Sequence, residues 1–341
     1  SGGARIIITR AFALTSECYM MDSVLYIVVP CYNEEEVLPE TAKRLTAKLG
    51  SLRAAGVVSP ESRIVFVDDG SKDRTWELIS GLHAEDPVIC GVKLTRNRGH
   101  QYALLAGLMT VRTMADAVIS MDADLQDDIN AVDAMLVKFG EGCDIVYGVR
   151  ARREKDSLFK RATAEGFYKL MALFGAEVIF NHADYRLMSR RALDHLAEFG
   201  EYNLFLRGIV PMIGLRTDTV AYDRGERFAG ESKYPLKKML AFAWEGITSL
   251  SASPLRAISV LGSAVFTGCF LAVIVLLLCR ISGSSVSGLA IAATALGALG
   301  GLQLLATGIV GQYVGKAYLE TKHRPRFLVG ETLFGGDGEA N

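Results

Sequence analysis

The stretch Asp122-Ala123-Asp124-Leu125-Gln126-Asp127-Asp128 follows directly on the apolar run Ala117-Val118-Ile119-Ser120-Met121. Carboxylates crowded at the end of a buried segment repel one another unless a cation or cationic ligand lies between them. Hard divalent ions such as Mg2+ and Mn2+ take oxygen ligands. They commonly use one or two carboxylates and share the other positions with a substrate's phosphates. The stretch therefore reads as a metal–diphosphate site. Asp-x-Asp also occurs in ordinary solvated loops, so the reading depends on its neighbours.

Three other polar segments stand in comparable positions: Cys31-Tyr32-Asn33-Glu34-Glu35-Glu36, Asp68-Asp69-Gly70-Ser71 and Arg96-Asn97-Arg98-Gly99-His100-Gln101. Short β-branched runs predict strands over 25–30, 63–68, 88–94, 117–121 and 144–148. Between them, helices are expected from Pro39, from Ser71 or Asp73 (carrying Trp76, Leu78 and Ile79), and after Gly99, with Ala103, Leu104, Gly107 and Leu108 on one face. This alternation predicts an α/β fold with a mostly parallel, Rossmann-like sheet covered on both faces. Ligands of such sheets bind beyond the carboxyl ends of the strands, where all four polar segments would meet. Neither Gly-x-Gly-x-x-Gly nor Gly-x4-Gly-Lys-Ser follows a strand, so dinucleotide-dependent hydride transfer and P-loop hydrolysis lose their usual supports.

The 341 residues carry a net charge of -1, which leaves no basic footprint for nucleic acid. Half the residues are hydrophobic and the mean hydropathy is +0.25. The excess lies in two long apolar spans, about 257–279 and 288–315, each longer than the roughly 20 residues that cross a bilayer. With the linker 280–287 they predict a transmembrane hairpin over 256–316. Lys237, Lys238 and Arg256 precede it, and Lys316, Lys322, Arg324 and Arg326 follow it. The positive-inside rule puts both ends and the α/β domain in the cytoplasm, at an inner membrane. Glycines in both spans allow helix–helix contact and a homo-oligomer. Apolar stripes flanked by lysines near 157–175 and over 236–252 are expected to lie at the membrane interface, although such stripes more often face a core. The six cysteines show no metal or disulfide spacing. Residues 1–22 are expected to be an N-terminal extension or vector-derived, 23–235 the catalytic domain, and 317–341 a cytoplasmic tail.

Pro30-x-Tyr32-Asn33-Glu34, Val67-Asp68-Asp69-Gly70-Ser71-x-Asp73 and Asp122-x-Asp124-Leu125-Gln126-Asp127, in that order and on strand ends, closely resemble the family 2 glycosyltransferases of GT-A fold. Ala183-Asp184-Tyr185-Arg186-Leu187 and Arg227-Phe228-Ala229-Gly230-Glu231-Ser232-Lys233-Tyr234-Pro235 are similar to a narrower branch, the polyisoprenyl-phosphate glycosyltransferases. The hairpin resembles the members of that branch that glucosylate bacterial O-antigen. The likeness spans about residues 24–326.

The resemblance implies that Pro30, Tyr32, Glu34, Asp69 and Asp122 line a nucleotide-sugar pocket, and that Asp124 and Gln126 ligate Mg2+ or Mn2+. It implies catalytic roles for Asp122, Asp124, Asp184 and Arg227. Arg150, Arg186, Arg227, Ser232 and Lys233 are expected to hold the diphosphate or the acceptor phosphate. Ordinary alternatives remain for several residues. Asp68 and Asp69 also suit a solvated turn, Arg152 and Arg153 a charged helix surface, and Asp127 and Asp128 the cap of a helix starting near Ile129. Asp184 is open between positioning group and base. The implied reaction is an inverting, metal-dependent transfer of a hexose to undecaprenyl phosphate, with UDP-glucose the first choice of donor. GDP-mannose or a UDP-linked modified pentose, and a processive polysaccharide synthase, are the alternatives. The last of these ordinarily carries a Gln-x-x-Arg-Trp motif that neither Trp76 nor Trp244 supplies.

Overall fold

The computed structural model describes residues 22–150, 182–202, 204–223 and 288–334. The first strand, β1 (Leu25–Cys31), is buried along its whole length. A continuous apolar run of this kind suits the centre of a sheet with both faces covered. It pairs in parallel with β2 (Arg63–Asp68) on one side and β4 (Ala117–Ser120) on the other, and β3 (Ile89–Leu94) continues the parallel set beyond β2. The helices α1 (Leu38–Ala54), α2 (Thr75–Glu85), α3 (His100–Val111) and α4 (Ala131–Gly140) make the crossovers. Each fully buried Val or Ile contributes about 1.5–3 kcal/mol of transfer energy, so these strands anchor the core.

The second half of the sheet is mixed. Strand β6 (His182–Ser189) runs antiparallel to both β4 and β5 (Ile145–Arg150), and β7 (Thr217–Tyr222) closes the edge parallel to β5. The helices α5 (Arg190–Glu198) and α6 (Leu206–Met212) follow β6. The strand order is β7-β5-β6-β4-β1-β2-β3-β8. A mostly parallel expectation thus holds for the N-terminal half and gives way to alternation around β6.

Strand β8 (Val329–Leu333) pairs antiparallel with β3. This strand falls within the segment 317–341 expected as a cytoplasmic tail, where Leu333 packs on the core and Phe327 and Phe334 pack on the opposite side. Before it runs α7 (Gly288–Thr321), a single helix of 34 residues that contains the second expected span. The first span, the linker and the stripes at 157–175 and 236–252 lie outside the described residues. Among the described residues no helix is long and apolar enough to cross a membrane, so the hairpin has no support from the fold.

Candidate active site

Two loops at the carboxyl edge are stitched together. Past Cys31 the chain turns through Asn33, whose φ of 55° is tolerable for asparagine. The Asn33 N–H donates to Ser71 Oγ (3.0 Å), its Oδ1 accepts from the Lys72 N–H (2.8 Å), and the Glu34 N–H donates to Thr75 Oγ1 (2.9 Å). Asp73 accepts from the Thr75 N–H at 3.1 Å and the Glu35 N–H at 3.2 Å, so it serves the start of α2, whereas Ser71 serves the neighbouring loop. An open cleft of about 420 Å³ lies beside Asn33, Glu34, Lys72 and Asp73. Tyr32 stands exposed next to it, and Pro30 forms the end of the β1 floor.

Asp68 and Asp69 are both buried, which rules out a solvated turn. Asp68 Oδ1 accepts from the Ser71 N–H, and its buried Oδ2 has no hydrogen-bond partner. Asp69 receives the Arg98 N–H at 2.7 Å and the Gly99 N–H at 2.8 Å, clamping the loop before α3. Burial raises its pKa, and these two donors offset part of that rise. Between the two loops, a Cβ at Gly70 (φ 66°) would stand 2.6 Å from the Asn97 nitrogen, so only glycine fits.

The acidic loop is wound on itself. Asp124 Oδ1 accepts from the Gln126 N–H (3.2 Å) around Leu125, whose φ is 57°, and Thr41 Oγ1 donates to the Ala123 carbonyl (2.9 Å). Asp127 is not a helix cap. It is buried, and Tyr222 donates its hydroxyl to Oδ1 at 2.6 Å. Burial raises its pKa, while Tyr222 and Arg150 act in the opposite direction. Arg150, at the end of β5, therefore faces this pair beneath the loop. Asp128 does act locally, accepting from the Asn130 N–H at 2.9 Å. Asp122 is pushed up to about 6, chiefly by burial. His100 opposes that rise, and Asp127, Asp184 and Asp124 add to it.

Opposite this loop, β6 presents Asp184 within a cage of cations. Arg186 Nη2 lies 2.8 Å from Oδ1, Arg207 Nη2 3.0 Å from Oδ2, and His100 Nε2 3.6 Å from Oδ2. Burial alone would raise the Asp184 pKa. Arg207, His100 and Arg186 overturn that and hold it well below the usual carboxylate range. Arg186 is only 1% exposed, and its Nε and Nη1 have no hydrogen-bond partner. Ser120 Oγ donates to the Asp184 carbonyl (2.6 Å), fixing β6 against β4.

Asp122, Asp184 and Arg186 thus lie together, with Asp124 and Gln126 in the same loop as Asp122. Glu34 and Asp69 are held in backbone-binding loops one and two strands away, after β1 and β2. Arg227, Ser232 and Lys233 lie outside the described residues. Sequence reasoning missed His100, Arg207 and Tyr222. His100 sits in a polar loop already singled out, but Arg207 lies in an apolar stretch and Tyr222 in an edge strand, Thr217–Tyr222, and neither carries a motif that gave a signal. The donors at Asp124 and Gln126 are oxygens, the right class for Mg2+ or Mn2+. Among the described residues no group of three or more His, Cys, Asp or Glu could hold a metal ion.

Residues 26–197 match the family model described as glycosyl transferase family 2. An uncharacterized glycosyltransferase of Bacillus subtilis, YkoT, is 50% identical over 311 residues, covering 91% of this chain and 92% of that protein. The bactoprenol glucosyl transferase of Shigella phage SfX is 40% identical over 306 residues, covering 89% and 97%. Among solved structures, mannosyl-3-phosphoglycerate synthase of Rubrobacter xylanophilus is 18% identical over 69% of this chain and 74% of that one, with a TM-score of 0.47.

Proposed function

The chain belongs to glycosyltransferase family 2 and is a glycosyltransferase, and from that premise we propose that it transfers glucose from UDP-glucose to a polyprenyl phosphate at the cytoplasmic face of a membrane. One observation carries the reading of the site. The acidic loop after β4 faces an arginine-caged carboxylate from β6, so an anionic donor and an anionic acceptor would meet between two charge-balanced walls. The choice of donor and acceptor draws on the name of the phage relative, which matches nearly end to end.

A divalent ion held by Asp124 and Gln126 would neutralise the leaving diphosphate. Asp122 would orient the donor's ribose or sugar. The acceptor is a phosphate monoester, whose second pKa of about 6 leaves it largely dianionic at pH 7, so it needs no strong base. Asp184, held ionised by Arg186 and Arg207, is a poor proton acceptor. Its role is to position those guanidiniums, which would hold the acceptor or diphosphate oxygens together with Arg227, Ser232 and Lys233. A single displacement at the anomeric carbon would invert its configuration. Membrane attachment rests on the charge-free sequences 257–279 and 288–315.

The test is transfer of label from UDP-glucose to undecaprenyl phosphate, with Mg2+ or Mn2+, read in the organic phase. Asp124→Asn should lower the rate about 100-fold or more, and chelation should abolish transfer. Label that stays aqueous with UDP-glucose, GDP-mannose and a UDP-pentose alike would overturn the reading.

A further inference from the structure

We propose that His100 is a positioning residue for the transfer, its imidazole tying the donor-side Asp122 to the acceptor-side Asp184. Nε2 lies 3.5 Å from Asp122 Oδ1 and 3.6 Å from Asp184 Oδ2. Asp184 lies on β6 and Asp122 just past the end of its antiparallel neighbour β4, with Ser120 opposite Arg186 in the register. Like charges placed across such a pair push apart. Asp184 already has two guanidiniums, so neutralisation is not what it lacks. Asp122 is different. Its ion-pair contact among the described residues is His100, and the carboxylates of Asp124 and Asp127 stand in the same loop. A proton on Nε2 attracts both carboxylates at once and sets the distance between them.

The imidazole is itself well placed to act as a fixed spacer. His100 is the first residue of α3 and follows Gly99, whose N–H is held by the buried Asp69. Its neighbour Gln101 accepts from the Leu206 N–H (2.9 Å), anchoring the first turn of α6, the helix that carries Arg207. One short segment therefore sets Asp122, Asp184 and Arg207 relative to one another. The His100 side chain is 44% accessible, so it is not part of the core. A histidine serving only the packing of α3 would be turned inward with Leu104 and Leu108.

The inference rests on the transfer reaction proposed above. Steady-state kinetics of His100→Ala, His100→Phe and His100→Gln with UDP-glucose and undecaprenyl phosphate test it. Alanine and phenylalanine should each lower kcat about 30-fold or more while the donor KM moves less than about threefold. Glutamine, which keeps an N–H at similar reach, should recover at least a tenth of the parent kcat. Ala within threefold of the parent, Phe matching Gln, or a loss confined to KM would each overturn it. A Tm cycle of His100→Ala against Asp184→Asn needs no turnover. Non-additive shifts support the tie even if the transfer reaction fails, and additive shifts refute it.

Discussion

At the residue scale the charge state of Asp184 decides what the site can do. Its folded pKa lies below the ordinary carboxylate value of about 3.9. A group depressed in this way adds stability that is fully present above the unfolded value and is lost as pH falls through the folded one. The acid limb of unfolding should therefore begin below about pH 4. Arg207→Met removes the strongest of the influences that lower it and leaves the burial that raises it. The variant should lose about 2 kcal/mol at neutral pH. Its acid unfolding midpoint, followed by circular dichroism, should move to higher pH. An unmoved midpoint would mean that Arg207 does not govern the carboxylate. Neither Arg207 nor its pairing was legible beforehand, because a lone arginine in Leu204-Phe205-Leu206-Arg207-Gly208 has no spacing that points to a residue 23 positions earlier. Asp122, Asp124 and Asp184 were legible because clustered carboxylates at strand ends are costly without a purpose.

At the scale of elements, the five early strands and three helices were readable because their periodicity is local and their loops carry turn residues. What could not be read was the mixed half of the sheet, since antiparallel pairing of β6 with two strands depends on contacts made across the chain. Strand β8 was hidden for a related reason. The run Val329-Gly330-Glu331-Thr332-Leu333 is short and half polar, and only the open edge of β3 makes a strand of it. The packing of α3 on the sheet gives a sharp test. A Cβ on Gly107 would come within 2.5 Å of Val28 Cγ1 and 2.6 Å of Val67 Cγ2. Overpacking costs about 1–3 kcal/mol, more than the roughly 1 kcal/mol that alanine gains over glycine in a helix. Gly107→Ala should therefore lower Tm by a few degrees. Gly50 lies in α1 with nothing within 4 Å of its would-be Cβ. There helix propensity wins, and Gly50→Ala should raise Tm slightly. Equal shifts of the same sign in the two variants would contradict this account.

At the scale of the whole molecule, the C-terminal segment joins α7 to the catalytic sheet. Seven residues, 322–328, separate the end of α7 from β8, a reach of at most about 25 Å. Along that path Arg326 Nη1 donates to the Phe199 carbonyl (2.7 Å), the Leu328 carbonyl accepts from the Thr95 N–H (3.0 Å), and Glu320 accepts from the Tyr202 N–H (2.8 Å). These contacts touch the loop before His100 and the loop before Arg207. The segment therefore braces both walls of the site as well as covering the edge of β3. Ending the chain at Thr321 would bare that edge, leave its amides unpaired and expose the surface under Phe327 and Leu333. An uncovered edge strand templates association between chains. The shortened protein should unfold at a Tm several degrees lower, exchange its β3 amides faster, and form larger species on size exclusion in the same detergent. If it keeps the parent Tm and elutes unchanged, β8 is dispensable to the sheet, and the bracing of the two loops must come from α7 alone.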